Sequence, residues 1–226
     1  MRLAVLSGGG KDSLYAAYLM HSRGHELRYI LTMYPAKPES YMFHYPDVHI
    51  TELQAEAMGI KRLVGTTPGE KEEELVELRE LMAMVGGEVE GIVTGALASN
   101  YQRSRIEAIC KDLGLASHAP LWQIDPEKLW EGLLGAGFEV IMTSVSAQGL
   151  GEEWLGRRVD QGALQELAAL ARRHRFHLGF EGGEAETLVL DMPLFRKRIR
   201  ILKARREWDG TRGEYTVEEA ELVEKG

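Results

Sequence analysis

The sequence has one cysteine, Cys110, among 226 residues. A lone thiol excludes an internal disulfide and a cysteine-rich zinc site. No apolar run approaches the roughly 18 residues of a membrane-spanning helix. Only four apolar residues, Leu3 to Leu6, directly precede the first glycines, too few for the core of a signal peptide. Excess positive charge is missing as well. Against 27 Lys and Arg stand 35 Asp and Glu, a net charge of −8, which argues against nucleic acid as a partner of the whole surface. There is no internal repeat and no low-complexity tract. These absences fit a cytoplasmic enzyme without a membrane partner. A hydrophobic content of 44% is ample for a core, and the length suits one large domain or two small ones.

What is present begins at residue 7. Ser7-Gly8-Gly9-Gly10-Lys11-Asp12-Ser13 follows the apolar run Leu3-Ala4-Val5-Leu6. Leu14, Ala17, Tyr18 and His21 then recur at i, i+3, i+4 and i+7, the spacing of an amphipathic helix. Strand, glycine loop and helix stand in the order that phosphate binding uses. Glycines let backbone N–H groups approach the ligand, the helix N-terminus adds partial positive charge, and Lys11 adds a full one. The Walker A pattern fails, because Asp12 follows Lys11 and Val5 fills the first glycine slot. The dinucleotide fingerprint G-x-G-x-x-G fails too. A glycine turn with no ligand is the bland alternative. The string resembles the SGGxDS pyrophosphate loop of the N-type ATP pyrophosphatases, which cleave ATP between the α and β phosphates and adenylate their substrates. That family has two glycines where this chain has three. Counted back from Asp12, the serine slot falls on Gly8.

Strand-like runs at Leu3–Leu6, Leu27–Met33, Arg62–Val64 and Gly91–Thr94 alternate with helical stretches near 12–23, 50–58, 70–85 and 99–113. This rhythm predicts an α/β fold, a parallel sheet with helices on both faces. With the loop's resemblance it implies a Rossmann-like sheet of the HUP type. Ligands of such sheets bind at the carboxyl ends of strands. Residues 7–13, 34–47 and 94–103 follow strand ends and are expected to converge on one cleft. The rhythm changes near Pro120. We expect an ATP-binding domain over 1–120 and a smaller α+β substrate domain over 121–226. In the latter, helices near 127–134 and 161–174 flank strand-like Phe138–Met142, Thr187–Leu190 and a basic strand. Trp208 to Gly213 reads as a turn.

Further clusters carry chemistry. Residues 39–47 hold Glu39, Ser40 and His44 in an aromatic loop. A lone histidine is more often structural, but this one follows a strand end. On the helix near 99–113, Ile106, Ile109, Cys110 and Leu113 form the buried stripe, which makes Cys110 a packing residue and not a nucleophile. Gln102 continues that stripe toward the cleft. Arg103 and Arg105 offer forked donors for phosphate, or form an exposed pair. Glu181, Glu184 and Glu186 stand among glycines at a strand entry, suited to Mg²⁺ or a cationic substrate group, or to a solvated turn. Seven Lys and Arg crowd into residues 196–206, with Arg196, Arg198 and Arg200 on one strand face. The common explanation is a solvated face. The sharper one is a dock for an acidic partner or RNA.

Taken in order, these segments resemble the diphthine–ammonia ligase family over nearly the whole chain. The motifs are the loop, Glu39-Ser40-x-Met42-Phe43-His44, Gln54-Ala55, and Ser99-x-Tyr101-Gln102-Arg103-x-Arg105-x-Glu107. Pro120-Leu121-Trp122, Trp154-Leu155-Gly156-Arg157, Glu181-Gly182-Gly183-Glu184-x-Glu186-Thr187 and Asp191-x-Pro193-Leu194-Phe195 follow. Departures are the third glycine, Asp47 where asparagine is common, Phe180 and Ala185. The resemblance implies a ligase that uses ATP, Mg²⁺ and ammonia to amidate diphthine, a modified histidine on translation elongation factor 2. It implies catalytic roles for Lys11, Asp12, Glu184 and Glu186, with Asp12 also holding the metal. ATP would meet Ser7, Gly8, Gly9, Gly10, Lys11, Asp12, Ser13, His44, Gln102 and Arg103. Substrate would meet Glu39, Ser40, Tyr101, Arg105, Trp122, Glu181 and Glu184. Other readings are an adenylating enzyme acting on tRNA or on a small cobalamin-related acid, and a non-catalytic nucleotide-binding module. Oligomeric state, a homodimer included, is open.

Overall fold

The computed structural model describes residues 1–35, 48–67 and 74–226. Its first sheet is parallel. Strands β1 (Arg2–Leu6), β2 (Glu26–Pro35), β3 (Lys61–Thr67), β4 (Gly91–Val93) and β5 (Ala116–His118) lie in the order β3-β2-β1-β4-β5. Helices α1 (Lys11–Ser22), α2 (Thr51–Met58), α3 (Glu74–Ala83) and α4 (Asn100–Asp112) connect them. Side-chain alternation decides which face each residue serves. Leu3, Val5 and Ile30 pack with α1 and α2, whereas Ala4, Tyr29, Leu31 and Met33 pack with α3 and α4. Helices therefore cover both faces, as the α/β pattern predicts. The chain leaves β1 toward β2 and β3 on one side and returns to β4 and β5 on the other. That reversal opens a crevice between the carboxyl ends of β1 and β4.

The second sheet is antiparallel. It contains β6 (Glu139–Val145), β7 (Ala185–Asp191), β8 (Lys197–Trp208) and β9 (Gly213–Glu224), in the order β7-β6-β9-β8. Helices α5 (Pro126–Gly135) and α6 (Gln161–His174) share its core. Their starts are set by local chemistry. The Asp125 side chain accepts from the N–H groups of Glu127 and Lys128 with Pro126 following it, and Asp160 accepts from Ala163 N–H (2.8 Å). Strands β5 and β9 were not expected from the sequence. β5 has three residues, and along β9 glutamates interrupt the alternation around buried Val217. Among the described residues no helix is long and apolar enough to cross a membrane.

One apolar cluster runs from Leu3 and Leu14 through Trp130, Val140 and Leu188 to Ile199, and so joins the two sheets. The joint is also polar. Val189 N–H donates to the Gly9 carbonyl (3.1 Å). Gln54 on α2 is fully buried, and its Nε2 donates to the carbonyls of both Gly9 (3.0 Å) and Val189 (2.9 Å). Beyond β7, Arg196 N–H donates to Ala57 O at the end of α2 (2.7 Å).

The basic run lies on β8 and is neutralised in place. Lys197 pairs with Glu224 (3.0 Å), Lys203 with Glu218 (2.8 Å), Arg200 with Glu221, and Arg198 with Glu139 (3.4 Å). These pairs make the run one rail of an exposed ion-pair ladder, in keeping with the solvated face, the commoner of its two readings.

Gln54→Leu keeps the approximate volume of the side chain and strips both hydrogen bonds from the joint. We expect a loss of about 1–3 kcal/mol in unfolding free energy, read as a lower urea midpoint. An unchanged midpoint would show that the polar joint adds nothing to stability.

Candidate active site

A cavity of about 620 Å³ opens at the crevice between β1 and β4, within the roughly 300–1,000 Å³ usual for a ligand site. Three segments wall it: the glycine loop after β1, the stretch after β4, and the glutamate segment leading into β7. Convergence of the first two is the strand-end rule of parallel sheets. The third arrives from the other sheet.

The loop is braced from inside. Ser7 is buried, its Oγ lies 2.7 Å from Ser13 Oγ, and it accepts Gly9 N–H (3.0 Å). The Ser13 hydroxyl also donates to Gly10 O (3.2 Å). Ser7 thus shapes the loop, which accounts for its place one residue before the family's serine slot. Gly9 takes φ +92°, where glycine is favoured, and a Cβ there would come within 3.0 Å of Gln54 Oε1. Gly8, at the family's serine slot, borders the cavity with open space at its Cβ position. Gly95 after β4 approaches closest. A Cβ there would stand 2.5 Å from Ser13 N and 2.6 Å from the Asp12 carbonyl carbon. Gly10 is the N-cap of α1 and gives it no side-chain cap; Lys11 N–H meets Thr187 Oγ1 of β7 instead (3.2 Å). The positive end of α1 therefore opens at the cavity without a carboxylate cap.

Lys11 borders the cavity, and its ammonium is engaged by protein groups. Its side chain is 2% exposed. Nζ donates to both Asp12 carboxylate oxygens (3.0 and 2.8 Å) and to Gly179 O (2.8 Å). Trp130 and Phe180 present their rings at 5.6 and 5.2 Å. Three N–H donors meet three acceptors.

Asp12 borders the cavity with its side chain 28% exposed. Burial holds its pKa above the ordinary carboxylate value, and the Lys11 ammonium opposes that rise. Glu181 is raised as well, first by burial. The Ala98 N–H it accepts (3.0 Å) opposes the shift, and the Asp12 charge adds to it. Two carboxylates that resist ionisation thus face one cavity. A hard cation or a cationic substrate group would relieve both. Among the described residues no three His, Cys, Asp or Glu side chains gather to hold a metal.

Tyr101, Gln102 and Glu186 also border the cavity, as do Ser7, Gly8, Gly10 and Ser13. Glu184 does not. Its oxygens accept His177 N–H (2.9 Å) and Gly182 N–H (2.7 Å), so it closes the 177–184 loop on itself and is not among the cavity walls where a catalytic place was expected. Arg103 is tied to Glu107 (2.6 Å) and lies 4.5 Å over the Trp122 ring, while Arg105 lies 3.9 Å over Tyr101. Arg103, Arg105 and Trp122 are not among the cavity's walls. Glu39, Ser40 and His44 lie outside the described residues. Cys110 is buried, and burial pushes its thiol pKa up to about 11, in keeping with packing. Sequence reasoning gave no role to Gln54, Gly95, Phe180 or Thr187. For Gln54 a signal existed, since it falls in the buried stripe Thr51, Gln54, Ala55, Met58.

A glycine loop and an uncapped helix start at the switch point of a doubly wound sheet define the class: an α/β protein built to hold a phosphate-bearing ligand. The comparisons narrow it. The family models described as diphthamide synthase N-terminal domain and C-terminal domain match residues 1–117 and 125–223. Diphthine–ammonia ligase of Bos taurus is 36% identical over 223 residues, 89% of this chain and 83% of that protein. The Homo sapiens enzyme of that name is 35% identical over 222 residues, with the same two shares of 89% and 83%. The Schizosaccharomyces pombe enzyme is 36% identical over 219 residues, 88% of this chain but 36% of that longer protein. The chain belongs to the diphthine–ammonia ligase family.

Glu184→Ala should free the two amides it holds. Hydrogen exchange at His177 and Gly182 is expected to quicken by about tenfold or more, in line with about 1.5–3 kcal/mol for hydrogen bonds to a charged acceptor. Unchanged exchange at both amides would return Glu184 to the list of groups available to a substrate.

Proposed function

We propose that this chain is an AMP-forming diphthine–ammonia ligase. ATP adenylates the carboxylate of diphthine on translation elongation factor 2, and ammonia displaces AMP to leave diphthamide and pyrophosphate. One observation carries the reading beyond family membership. The glycine cradle at the uncapped start of α1 and the carboxylates of Asp12, Glu181 and Glu186 border the same cavity. A triphosphate and a cationic, carboxylate-bearing substrate can meet there.

The chemistry needs that meeting. A carboxylate is a poor electrophile because its oxygen leaves badly, and adenylation makes AMP the leaving group. Residues 1–120 hold the nucleotide through the backbone of Gly8 and Gly10, the first turn of α1 and the Ser13 hydroxyl. Gln102 stands where the cavity meets the start of α4. Residues 121–226 supply the opposite wall. Glu181, Glu186 and the Tyr101 ring face the trimethylammonio group of diphthine, a cation suited to carboxylates and aromatic faces. Mg²⁺ fits the oxygen donors present: Asp12 would hold it against the phosphates, where it offsets their charge. Cys110, buried and with its thiol pKa near 11, offers no glutamine-hydrolysing nucleophile, so ammonia arrives free. The reading places the protein in the cytoplasm with its elongation-factor substrate.

Labelled ATP, ammonium and diphthine-bearing elongation factor 2 should give AMP, pyrophosphate and a mass change of about one unit on the factor, for OH replaced by NH₂. ADP and phosphate as the only nucleotide products would overturn the reading. AMP formed with tRNA or a small acid but never with the factor would move it to another adenylating chemistry. Asp12→Asn should cut turnover by about 10²–10³, the scale of one preorganised charge at a reacting centre. Wild-type turnover in that variant would remove Asp12 from the reaction.

A further inference from the structure

We propose that Lys11 is a positioning residue: its ammonium latches the glycine loop to the second sheet's side of the cavity and holds Asp12, leaving the phosphates to backbone and helix. The latch crosses the molecule. Gly179, Trp130 and Phe180, which surround Nζ, all come from the chain after residue 121, and the Gly179 carbonyl is 168 residues away. The same loop is fastened twice more to β7, by Lys11 N–H on Thr187 Oγ1 and by Val189 N–H on Gly9 O. A lysine that serves a phosphate needs a free, swinging ammonium. Lys11 borders the cavity, but its side chain is 2% exposed, and the ammonium would have to give up a bidentate carboxylate, a carbonyl and two ring faces to turn toward a phosphate. Leaving would also strip Asp12 of its countercharge. A buried ionic pair broken at one partner is far costlier than one left whole, so the pair stays closed and Lys11 acts through Asp12.

The slot also discriminates between cations. A phosphate-binding lysine tolerates arginine in charge, since both are cationic and arginine binds phosphate well. A narrow cage built around a point charge does not admit a planar fork. Lys11→Arg should therefore fail to restore what Lys11→Met loses.

The kinetic readouts, kcat and KM, rest on the proposed adenylation; ATP affinity by calorimetry and acetylation do not. In Lys11→Met, AMP formation is expected to fall about 100-fold in kcat, the cost of misplacing a group by about 1 Å. KM for ATP and ATP affinity by calorimetry should stay within about threefold, under 1 kcal/mol, and Lys11→Arg should be equally slow. Independently of any variant, brief acetylation of the wild-type protein, read by peptide mass, should spare Lys11. The exposed Lys197 and Lys203 should react, with ATP and without it. Two results would overturn the latch. One is a Lys11 that acetylates as fast as Lys203 in free protein and is protected only by ATP. The other is a loss of about tenfold or more in ATP affinity that Lys11→Arg restores. If wild-type protein releases no AMP with the elongation factor, the reaction fails while acetylation and ATP affinity still decide the latch.

Discussion

The cavity depends on a loop that does not stand by itself. Its carbonyl at Gly9 and its ammonium at Lys11 are both satisfied by groups from the far end of the chain, Val189 and Gly179. Buried polar groups left without partners are costly, and a buried unpaired charge more so. The loop's native shape therefore requires that the second sheet be docked. The reverse holds too, because β7 is an edge strand whose Val189 N–H and C=O are completed by Gly9 and Gln54. The glycine loop and β7, which wall the same cavity, are thus two sides of one joint.

Electrostatics follow from that joint. With the Lys11 charge matched to Asp12, the start of α1 and the loop's backbone offer the cavity fixed dipoles that need no rearrangement when charge moves. The chain as a whole carries net negative charge, and the cavity adds Asp12 and Glu181, both raised above ordinary carboxylate values by burial.

Local rules made much of the fold legible. Apolar runs and the 3.6-residue period located four of the five strands of the parallel sheet, β5 excepted, and its helices. The rules failed where long-range contact decides. β9 is polar on most of its length because it pairs with a basic strand, so hydrophobic alternation could not reveal it. Within the cavity the sequence picked the loop, Tyr101, Gln102, Glu181 and Glu186 by residue type. Glu184 and Lys11, picked for their charges, have those charges engaged by backbone groups and, for Lys11, by the neighbouring Asp12 carboxylate. Residue type announces a charge; only the fold tells which groups have already claimed it.

The two edges of the second sheet show how the same physics serves different ends. An open edge invites pairing with another chain. At β8 the edge is blunted by charge, with Arg200 exposed beside the buried Ile199 and its row paired to the glutamates of β9 and to Glu139 of β6. At β7 the edge is not blunted. It is occupied, by the glycine loop of the other sheet and by the one buried amide side chain of α2 that reaches both. A third glycine in the loop makes this possible. Gly9 takes the left-handed turn and gives its carbonyl to β7, Gly8 stays open to the cavity, and Gly10 starts the helix. Three backbone duties fall on three consecutive residues, and a side chain at Gly9 would press on Gln54. The serine that braces the turn accordingly stands one position earlier.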